Sequence, residues 1–329
     1  MSTFDFSNLG PDQILDAIES IGIYPESGLL ALNSYENRVY QFTADDRRKY
    51  VVKFYRPNRW SDEQIQEEHD FAFELQQQDI PVVPPLKFNE QSLFHHNGHR
   101  FCLYQSLGGR MFELDNLDQL EWLGRLLGRM HKVSQSRQFS YRQTINFEQE
   151  FNDSVSTLKG LELLPDYLKS TFFHDLSMMT DLCLEKLTQS HQIIRLHGDC
   201  HAGNILLQRD DLASDAVLVD LDDCINGPAI QDLWMMLSGD RQNQLLQLDT
   251  MVCAYEEFHE FNHNELVLIE PLRARRMVNY MAWIAKRWQD PAFPRNFSWF
   301  ATDKYWEQQV LAMKEQISAL SEPSLKLLP

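Results

Sequence analysis

The sequence lacks the features that mark secreted, membrane-spanning and disulfide-stapled proteins. Its first eleven residues contain neither a basic segment nor an apolar one, so we expect no secretory signal. The most apolar windows, 117–130 and 277–288, carry Arg or Lys, and neither approaches the ~18 uncharged apolar residues that indicate a membrane span. The five cysteines form no C-x-x-C pair, which is typical of reduced thiols in a cytoplasm. We therefore expect a cytoplasmic protein.

Basic side chains are scarce relative to acidic ones. The chain has 30 Lys and Arg against 48 Asp and Glu, for a net charge of −18. A field of that sign repels the phosphates of nucleic acids and of anionic membranes, so neither is expected as a partner. The remaining composition is that of a globular protein, and 329 residues predict about two domains. No heptad seam is visible, and we expect a monomer.

The first hundred residues alternate short β-type runs with turns, which predicts a small mixed sheet. The predicted strands cover 30–33, 38–43, 50–55, 93–96 and 100–104. Ser61, with Gln64 three residues later, has the spacing of a capping box and predicts a helix over 61–77. Beyond Gly108 and Gly109 the periodicity becomes mainly helical. The sequence therefore predicts a nucleotide-binding N-lobe over 1–105 and a larger C-lobe over 106–329.

The stretch 195–207 carries the most informative pattern. It reads strand, polar loop, strand, and the loop contains Asp199 followed by Asn204 five residues later. An apolar strand follows and ends in Asp220. Phosphoryl transfer uses one carboxylate to accept the proton of a hydroxyl, and Asp and Asn oxygens to hold Mg²⁺. The offset of five residues matches that of the kinase catalytic loop, so the pattern favours a phosphotransferase.

Lys53 is a lone cation in the apolar strand that contains Val51, Val52 and Phe54. In kinases such a Lys contacts the α- and β-phosphates and is held by a carboxylate from the next helix. Two adjacent acids, Glu67 and Glu68, are candidates. Glu68 shares a helical face with the apolar residues at 71 and 75, so we choose Glu68.

These residues resemble the aminoglycoside phosphotransferase and choline kinase-like family. The similarity covers nearly the whole chain, and its most general motifs lie at 51–54, 126–131, 197–204 and 219–223. The resemblance implies a bilobal, protein-kinase-like α+β fold, with ATP between a small mixed β-sheet N-lobe and a larger, mainly helical C-lobe. It also implies an ATP- and Mg²⁺-dependent Ser/Thr protein kinase of a bacterial stress response.

The resemblance also implies roles for single residues. It assigns Asp199 as the catalytic base and Asp220 as a second catalytic residue. It makes Asn204 and Asp220 the Mg²⁺ ligands, and Lys53 the phosphate-binding Lys.

The nucleotide loop departs from the protein-kinase pattern. Ser34 lies where that loop is expected, yet the turn 34–37 contains no Gly, so side chains must contribute where glycine backbone normally does. The segment from Tyr104 to Leu107 corresponds to the hinge, whose backbone is expected to bind adenine.

The acceptor remains open at this stage. The expected partners are ATP and a protein with a Ser or Thr acceptor, the alternative is a small-molecule O-phosphotransferase, and a third hypothesis is a nucleotide-binding pseudokinase. Retention of the four site residues Lys53, Asp199, Asn204 and Asp220 argues against the third. Asp222 and Asp223 are either further ligands or solvated acids, and Asp232 either supports the 197–204 loop or caps a helix.

Overall fold

The computed structural model describes residues 6, 8–187, 191–208 and 216–327. The chain begins with helix α1 (Pro11–Glu19), which packs against a five-stranded antiparallel sheet. The strands are β1 (Leu30–Ala31), β2 (Arg38–Thr43), β3 (Lys49–Phe54), β4 (Phe94–His96) and β5 (His99–Gln105), in the spatial order β1-β2-β3-β5-β4. All five lie within one residue of a predicted strand at each end, except that β1 stops two residues early.

Strand β3 separates the two faces of this sheet. Val52 and Phe54 point into the small core under α1, where Ile14 and Ile18 of that helix are buried. Because side chains alternate along a strand, Lys53 lies on the opposite face, toward the rest of the molecule. Burial of these apolar residues fixes the register, and therefore fixes the position of Lys53.

Helix α2 (Asp62–Gln77) follows β3 and begins as the capping-box pattern predicts. The Ser61 hydroxyl accepts the Gln64 backbone N–H at 3.2 Å, and the Gln64 side chain accepts the Ser61 N–H at 2.9 Å. The apolar face of the helix, which includes Phe71 and Leu75, belongs to the large C-terminal core rather than to the small one. Nearer its start, Ile65 packs with Tyr55 and Cys102 of the sheet region, so Glu68 lies between that contact and the large core.

The remaining elements are mainly helical. They are β6 (Arg110–Met111), α3 (Leu117–Ser134), α4 (Phe147–Lys159), α5 (Asp166–Lys186), β7 (Ile194–Leu196), β8 (Ile205–Leu207), β9 (Ala216–Leu218), β10 (Ile225–Gly227), α6 (Gln231–Trp234), α7 (Arg241–Glu256), α8 (Ile269–Lys286), α9 (Ala292–Asn296) and α10 (Asp303–Ser321). Strands β6, β8 and β9 form one small sheet, and β7 pairs with β10. These two ribbons hold the loops that carry the predicted site residues.

This arrangement confirms the predicted α+β class, with a small sheet and a larger helical part. One local expectation was too simple. The part beyond residue 109 was expected to be mainly helical, but 135–146 is irregular and helices resume only at α4; residues 188–190 lie outside the described ones. The boundary after residue 105 stays a prediction, although β5 ends there. None of the described helices is both long and apolar enough to cross a membrane.

Candidate active site

A cavity of about 840 Å³ lies between the five-stranded sheet and the 197–204 loop. Seven of the eight residues selected from the sequence line it, namely Ser34, Lys53, Tyr104, Leu107, Asp199, Asn204 and Asp220. The eighth, Glu68, is 2% exposed and lies behind Lys53. The fold thus brings side chains from distant parts of the chain into one site.

The 197–204 loop is held in a single shape by its own backbone. Gly198 has a φ of +86°, and a Cβ at that position would come within 2.1 Å of the Asp223 carbonyl oxygen. Only glycine satisfies both constraints. The Asn204 side-chain nitrogen donates to the Asp199 carbonyl oxygen at 2.9 Å. These contacts place the Asp199 carboxylate and the Asn204 amide oxygen on the same loop edge.

A buried carboxylate supports the loop from behind. Asp232 is fully buried, and its two oxygens accept the backbone N–H groups of His197 at 2.8 Å and Gly198 at 2.9 Å. It also lies 3.1 Å from the ring nitrogen Nε2 of His131. Of the two expectations for Asp232, the structure therefore supports the loop contact, because the N-cap of α6 is Ile230.

Asp199 faces two basic side chains. Arg276 of α8 donates to its Oδ1 at 2.5 Å, and the His201 Nε2 lies 3.4 Å from its Oδ2. The Gly203 N–H donates to the other nitrogen of His201, so Nε2 is the protonated nitrogen of the neutral ring. Burial alone would raise the pKa of Asp199, but His201 and Arg276 hold that pKa well below its usual range. The carboxylate is therefore ionised and able to accept a hydrogen bond at neutral pH.

Lys53 binds two buried carboxylates. Its Nζ lies 3.0 Å from Glu68 Oε1, 2.9 Å from Asp222 Oδ1 and 3.7 Å from Asp220 Oδ1. Burial alone would lower the pKa of Lys53, but Asp222 and Glu68 raise this pKa well above its ordinary value. The side chain therefore keeps its charge although it is only 6% exposed.

The solvated-acid interpretation is wrong for Asp222. This residue is 4% exposed, and its carboxylate contacts Lys53, Arg59 and the Asn37 side chain. Burial alone would raise the pKa of Asp222, but Arg59, Lys53 and Arg142 lower it below its ordinary value. The Asp223 side chain, by contrast, is half exposed. Its carboxylate forms an ion pair with the same Arg59 guanidinium.

The irregular segment before α4 closes the back of this cluster. Arg142 donates to Glu68 Oε2 at 2.9 Å and to the Asp222 carbonyl oxygen at 2.5 Å. Glu67, the alternative partner of Lys53, instead accepts the backbone N–H groups of residues 140–142. The two adjacent glutamates thus have different roles. Glu68 contacts Lys53, and Glu67 holds the segment that contains Arg142.

Sequence reasoning missed three arginines of the site. Arg59, Arg142 and Arg276 each contact a carboxylate more than 70 residues away in the chain. None lies in a local motif with a chemical interpretation, so only the folded contacts identify them.

The turn 34–37, which is expected to be the nucleotide loop, is anchored to the C-terminal end of α8. Glu36 accepts the Trp283 indole N–H at 2.6 Å and an N–H of Arg287 at 2.9 Å. No residue from 34 to 37 has a positive φ, in keeping with the absence of glycine. Ser34 itself lines the cavity. Side-chain contacts thus hold this loop in place at the edge of the cavity, and it contains none of the glycines of a glycine-rich loop.

The edge of the cavity near the end of β5 suits a flat aromatic ligand. Tyr104 and Leu107 line this edge, and apolar side chains of both sheets face each other across it, namely Val39, Val51 and Leu206. The Tyr104 hydroxyl donates to Glu68 at 3.4 Å, which turns the side chain toward the Lys53 cluster. The backbone of 104–107 is therefore the part of this edge open to a purine.

The donors near Asp199 fit a hard divalent cation. The Asn204 amide nitrogen is used within the loop, which leaves its oxygen as a ligand, and the Asp220 side chain is 57% exposed at the cavity wall. Across the described part of the chain, no three His, Cys, Asp or Glu side chains form a metal cluster. Mg²⁺ does not need one, since it commonly takes one or two protein oxygens plus substrate phosphates.

Comparison with curated proteins finds relatives that match over their full length. The chain is 48% identical to stress response kinase A of Escherichia coli (strain K12) over 328 residues, which cover 100% of this chain and 98% of the relative. The identity and coverage are the same for a Salmonella typhimurium protein named serine/threonine protein kinase RdoA.

Solved structures support the fold alone, because their sequences are distant. Amicoumacin kinase hAmiN in complex with AMP-PNP, Ca²⁺ and Ami superimposes with a TM-score of 0.72 at 18% identity, covering 94% of each chain. A microcompartment-associated aminopropanol kinase superimposes with a TM-score of 0.69 at 18% identity, covering 96% of this chain and 99% of its own. The fold is therefore the kinase-like one.

A model of one protein family matches residues 29–266, which include the site residues predicted from the sequence, from Ser34 to Asp220. This range is well over half of the chain, and it agrees with the full-length relatives named as kinases. The chain belongs to the phosphotransferase enzyme family.

Proposed function

We propose that the protein transfers the γ-phosphate of ATP to a Ser or Thr hydroxyl of a protein in a bacterial stress response, with Mg²⁺ as cofactor. One observation carries the proposal: Lys53, Asp199, Asn204 and Asp220 line one cavity in a chain 48% identical, end to end, to proteins named as stress response or Ser/Thr kinases. The buried free cysteines agree with a reducing cytoplasm.

On the nucleotide side, the apolar edge receives adenine and the backbone of 104–107 hydrogen-bonds it. Lys53 then contacts the α- and β-phosphates, and its carboxylate partners Glu68 and Asp222 hold its ammonium group in place. Asn204 and Asp220 would hold Mg²⁺, and the ion would supply positive charge that stabilises the phosphate groups during transfer.

On the acceptor side, Asp199 orients the hydroxyl. The hydroxyl oxygen attacks the γ-phosphorus while the bond from that phosphorus to the β–γ bridging oxygen breaks, and ADP leaves. The hydroxyl proton passes to Asp199, which the low pKa keeps ionised before the step. Most of the rate enhancement in such a site comes from positioning and electrostatics.

The segment between Asp220 and Pro228 supports constitutive activity. It contains no Ser or Thr, and β10 within it pairs with β7. Kinases that switch by activation-loop phosphorylation need a phosphosite in this segment. A required phosphosite between 220 and 228 would contradict this part of the proposal.

The alternative is a small-molecule O-phosphotransferase. The same short segment leaves the acceptor side open, and about 840 Å³ is the size of a pocket for a small ligand. A pseudokinase is disfavoured, because a binding module has no need of both Asp199 and its supporting Asp232.

The test incubates the full chain with [γ-³²P]ATP, Mg²⁺ and either myelin basic protein or a panel of amines and sugars. Label on Ser or Thr that is lost in Asp199→Ala supports the protein kinase. Turnover only with a small hydroxyl compound supports the alternative. ATP binding without any transfer would overturn both.

A further inference from the structure

The acceptor side of the cavity is formed by one face of α8. Arg276, Tyr280 and Trp283 are spaced as i, i+4 and i+7, so they lie on one helical face, and all three line the cavity. Tyr280 stacks on Trp283 with a centroid distance of 5.8 Å. Tyr35 of the nucleotide loop lines the cavity as well and is 42% exposed. The wall is thus aromatic, open and adjacent to Asp199.

The cations of the cavity differ in what neutralises them. Lys53 and Arg59 contact the buried carboxylate of Asp222, and Arg275 donates to Glu150 at 2.6 Å. None of these carboxylates is needed to hold an acceptor hydroxyl. These three cations therefore keep their partners when substrates bind.

Arg276 is in a different position. Its carboxylate partner is Asp199, the group that must accept a hydrogen bond from the acceptor hydroxyl. The side chain is 48% exposed, and the same Nη1 also lies 3.1 Å from the Met235 sulfur. Asp199 has lone pairs enough to accept an acceptor hydroxyl beside Arg276, and the contacts of the Arg276 guanidinium with Asp199 and Met235 use Nη1, which leaves its other N–H donors available at the cavity wall. An anion carried by the acceptor satisfies these donors at short range.

We propose that Arg276 selects acceptors in which an acidic side chain flanks the Ser or Thr hydroxyl, so that the substrate class is acidic peptide segments. The proposal rests on the proposed function for the hydroxyl acceptor. It runs against the overall charge of −18, which favours basic partners at long range. Contact with Arg276 is local, and a charge-assisted hydrogen bond at contact distance acts within the range where salt does not screen it, unlike the long-range field of the net charge.

The test uses three peptides with one Ser acceptor, flanked on both sides by Glu, Gln or Lys. We expect kcat/KM with Mg²⁺-ATP to be about tenfold to a hundredfold higher for the Glu peptide than for the Gln peptide, and lowest for the Lys peptide. Arg276→Gln is expected to remove the preference, and Arg276→Glu to reverse it. The ranking is compared within each variant, because both substitutions also act on Asp199.

The matched control is Arg125→Gln. Arg125 is a half-exposed arginine of α3 whose partners are Glu121 and Glu257, and it does not line the cavity. This variant should keep the wild-type ranking. Equal rates for the Glu and Gln peptides in the wild type, or an unchanged ranking in Arg276→Glu, would overturn the proposal. So would a uniform loss over all peptides with a raised KM for ATP, because Arg276 would then serve the phosphoryl group.

A second measurement separates this proposal from the proposed function. Fluorescent peptides with Ala in place of Ser report binding by anisotropy, with no transfer required. Preferential binding of the Glu peptide without phosphorylation supports the acidic subsite and contradicts the protein kinase. Phosphorylation of peptides with no charge preference supports the protein kinase and contradicts the acidic subsite. Transfer to a free hydroxy acid such as glycerate, with no peptide bound, contradicts the peptide class.

Discussion

The charged side chains on the two sides of the cavity differ in burial and in the number of their charged partners. On the nucleotide side, Lys53, Glu68 and Asp222 have side chains 6%, 2% and 5% exposed, and each has at least two charged partners. On the acceptor side, Asp199 and Arg276 are 25% and 48% exposed. The nucleotide side is a buried, fixed cluster, whereas the acceptor side has charged groups that are open to a substrate.

This difference has an energetic consequence. A buried ion pair that loses one member leaves an uncompensated charge, which costs stability as well as function. A half-exposed pair is screened by water and contributes little to stability. Substitutions on the nucleotide side should therefore lower both activity and stability, and substitutions on the acceptor side should lower activity alone.

The largest effect is expected for Asp199→Asn. The amide keeps the shape of the side chain but accepts no proton, so kcat should fall on the order of 10³-fold or more. The free energy of unfolding should change by less than about 1 kcal/mol, since the ion pair with Arg276 is exposed. Initial rates and urea unfolding of the same preparation measure the two quantities. A large loss of stability would remove the contrast between the two sides.

Glu68→Gln tests the nucleotide side. Lys53 would keep Asp222 but lose one carboxylate, and Arg142 would lose its ion pair. We expect a loss of about 3 kcal/mol in unfolding free energy, the low end for a broken buried pair, because Asp222 remains. Displacement of Lys53 from the phosphates should lower kcat/KM for ATP by about 10²-fold.

The control is Asp70→Asn, a surface carboxylate of the same helix that accepts a hydrogen bond from Gln66. It should leave both quantities near the wild-type values. If Glu68→Gln reduced activity without reducing stability, the cluster would be no more than a binding surface.

The sequence predicts the part of this contrast that depends on residues close together in the chain. Lys53 and Glu68 were predicted as a pair because Lys53 is a lone cation in an apolar strand and helical periodicity places Glu68 on the inward face of the next helix. Asp199 and Asn204 belong to one loop, so their spacing predicts their proximity. The sequence alone predicts this part of the site.

The rest depends on contacts between segments far apart in the chain. Asp222 is buried against Arg59, which lies 163 residues earlier in the chain, and against Arg142, which lies in an irregular segment. Arg276 meets Asp199 only because α8 packs beside the 197–204 loop. A single sequence holds no local signal for such pairings, and an exposed Asp or Arg looks the same as a buried one.

Arg59→Ala should have an intermediate effect. Asp222 would lose one cation and keep Lys53, and the loop after β3 would lose its contact with Asp222 and Asp223. We expect KM for ATP to rise about tenfold, in line with the loss of one charged hydrogen bond. Arg59→Lys should recover part of the affinity, because the charge remains while the bidentate geometry is lost. Arg48→Ala, which removes an exposed arginine in the turn before β3, should leave KM unchanged; an equal rise there would point to net charge instead.

The smallest effect concerns pH on the acceptor side. His201 and Arg276 hold the pKa of Asp199 well below its usual range against the opposing effect of burial, so the acid limb of kcat/KM should lie below the ordinary range of an aspartate. Arg276→Gln removes one of these two influences, so the pKa should rise and the acid limb should move to higher pH. The ratio of activity near pH 4 to activity at pH 7 should then be lower than in the wild type. Arg59→Lys should leave the limb in place, because Arg59 has no direct contact with Asp199 among the described ion pairs. A limb that moved equally in both variants would mean that the two sides share one electrostatic network, and that exposure alone does not separate them.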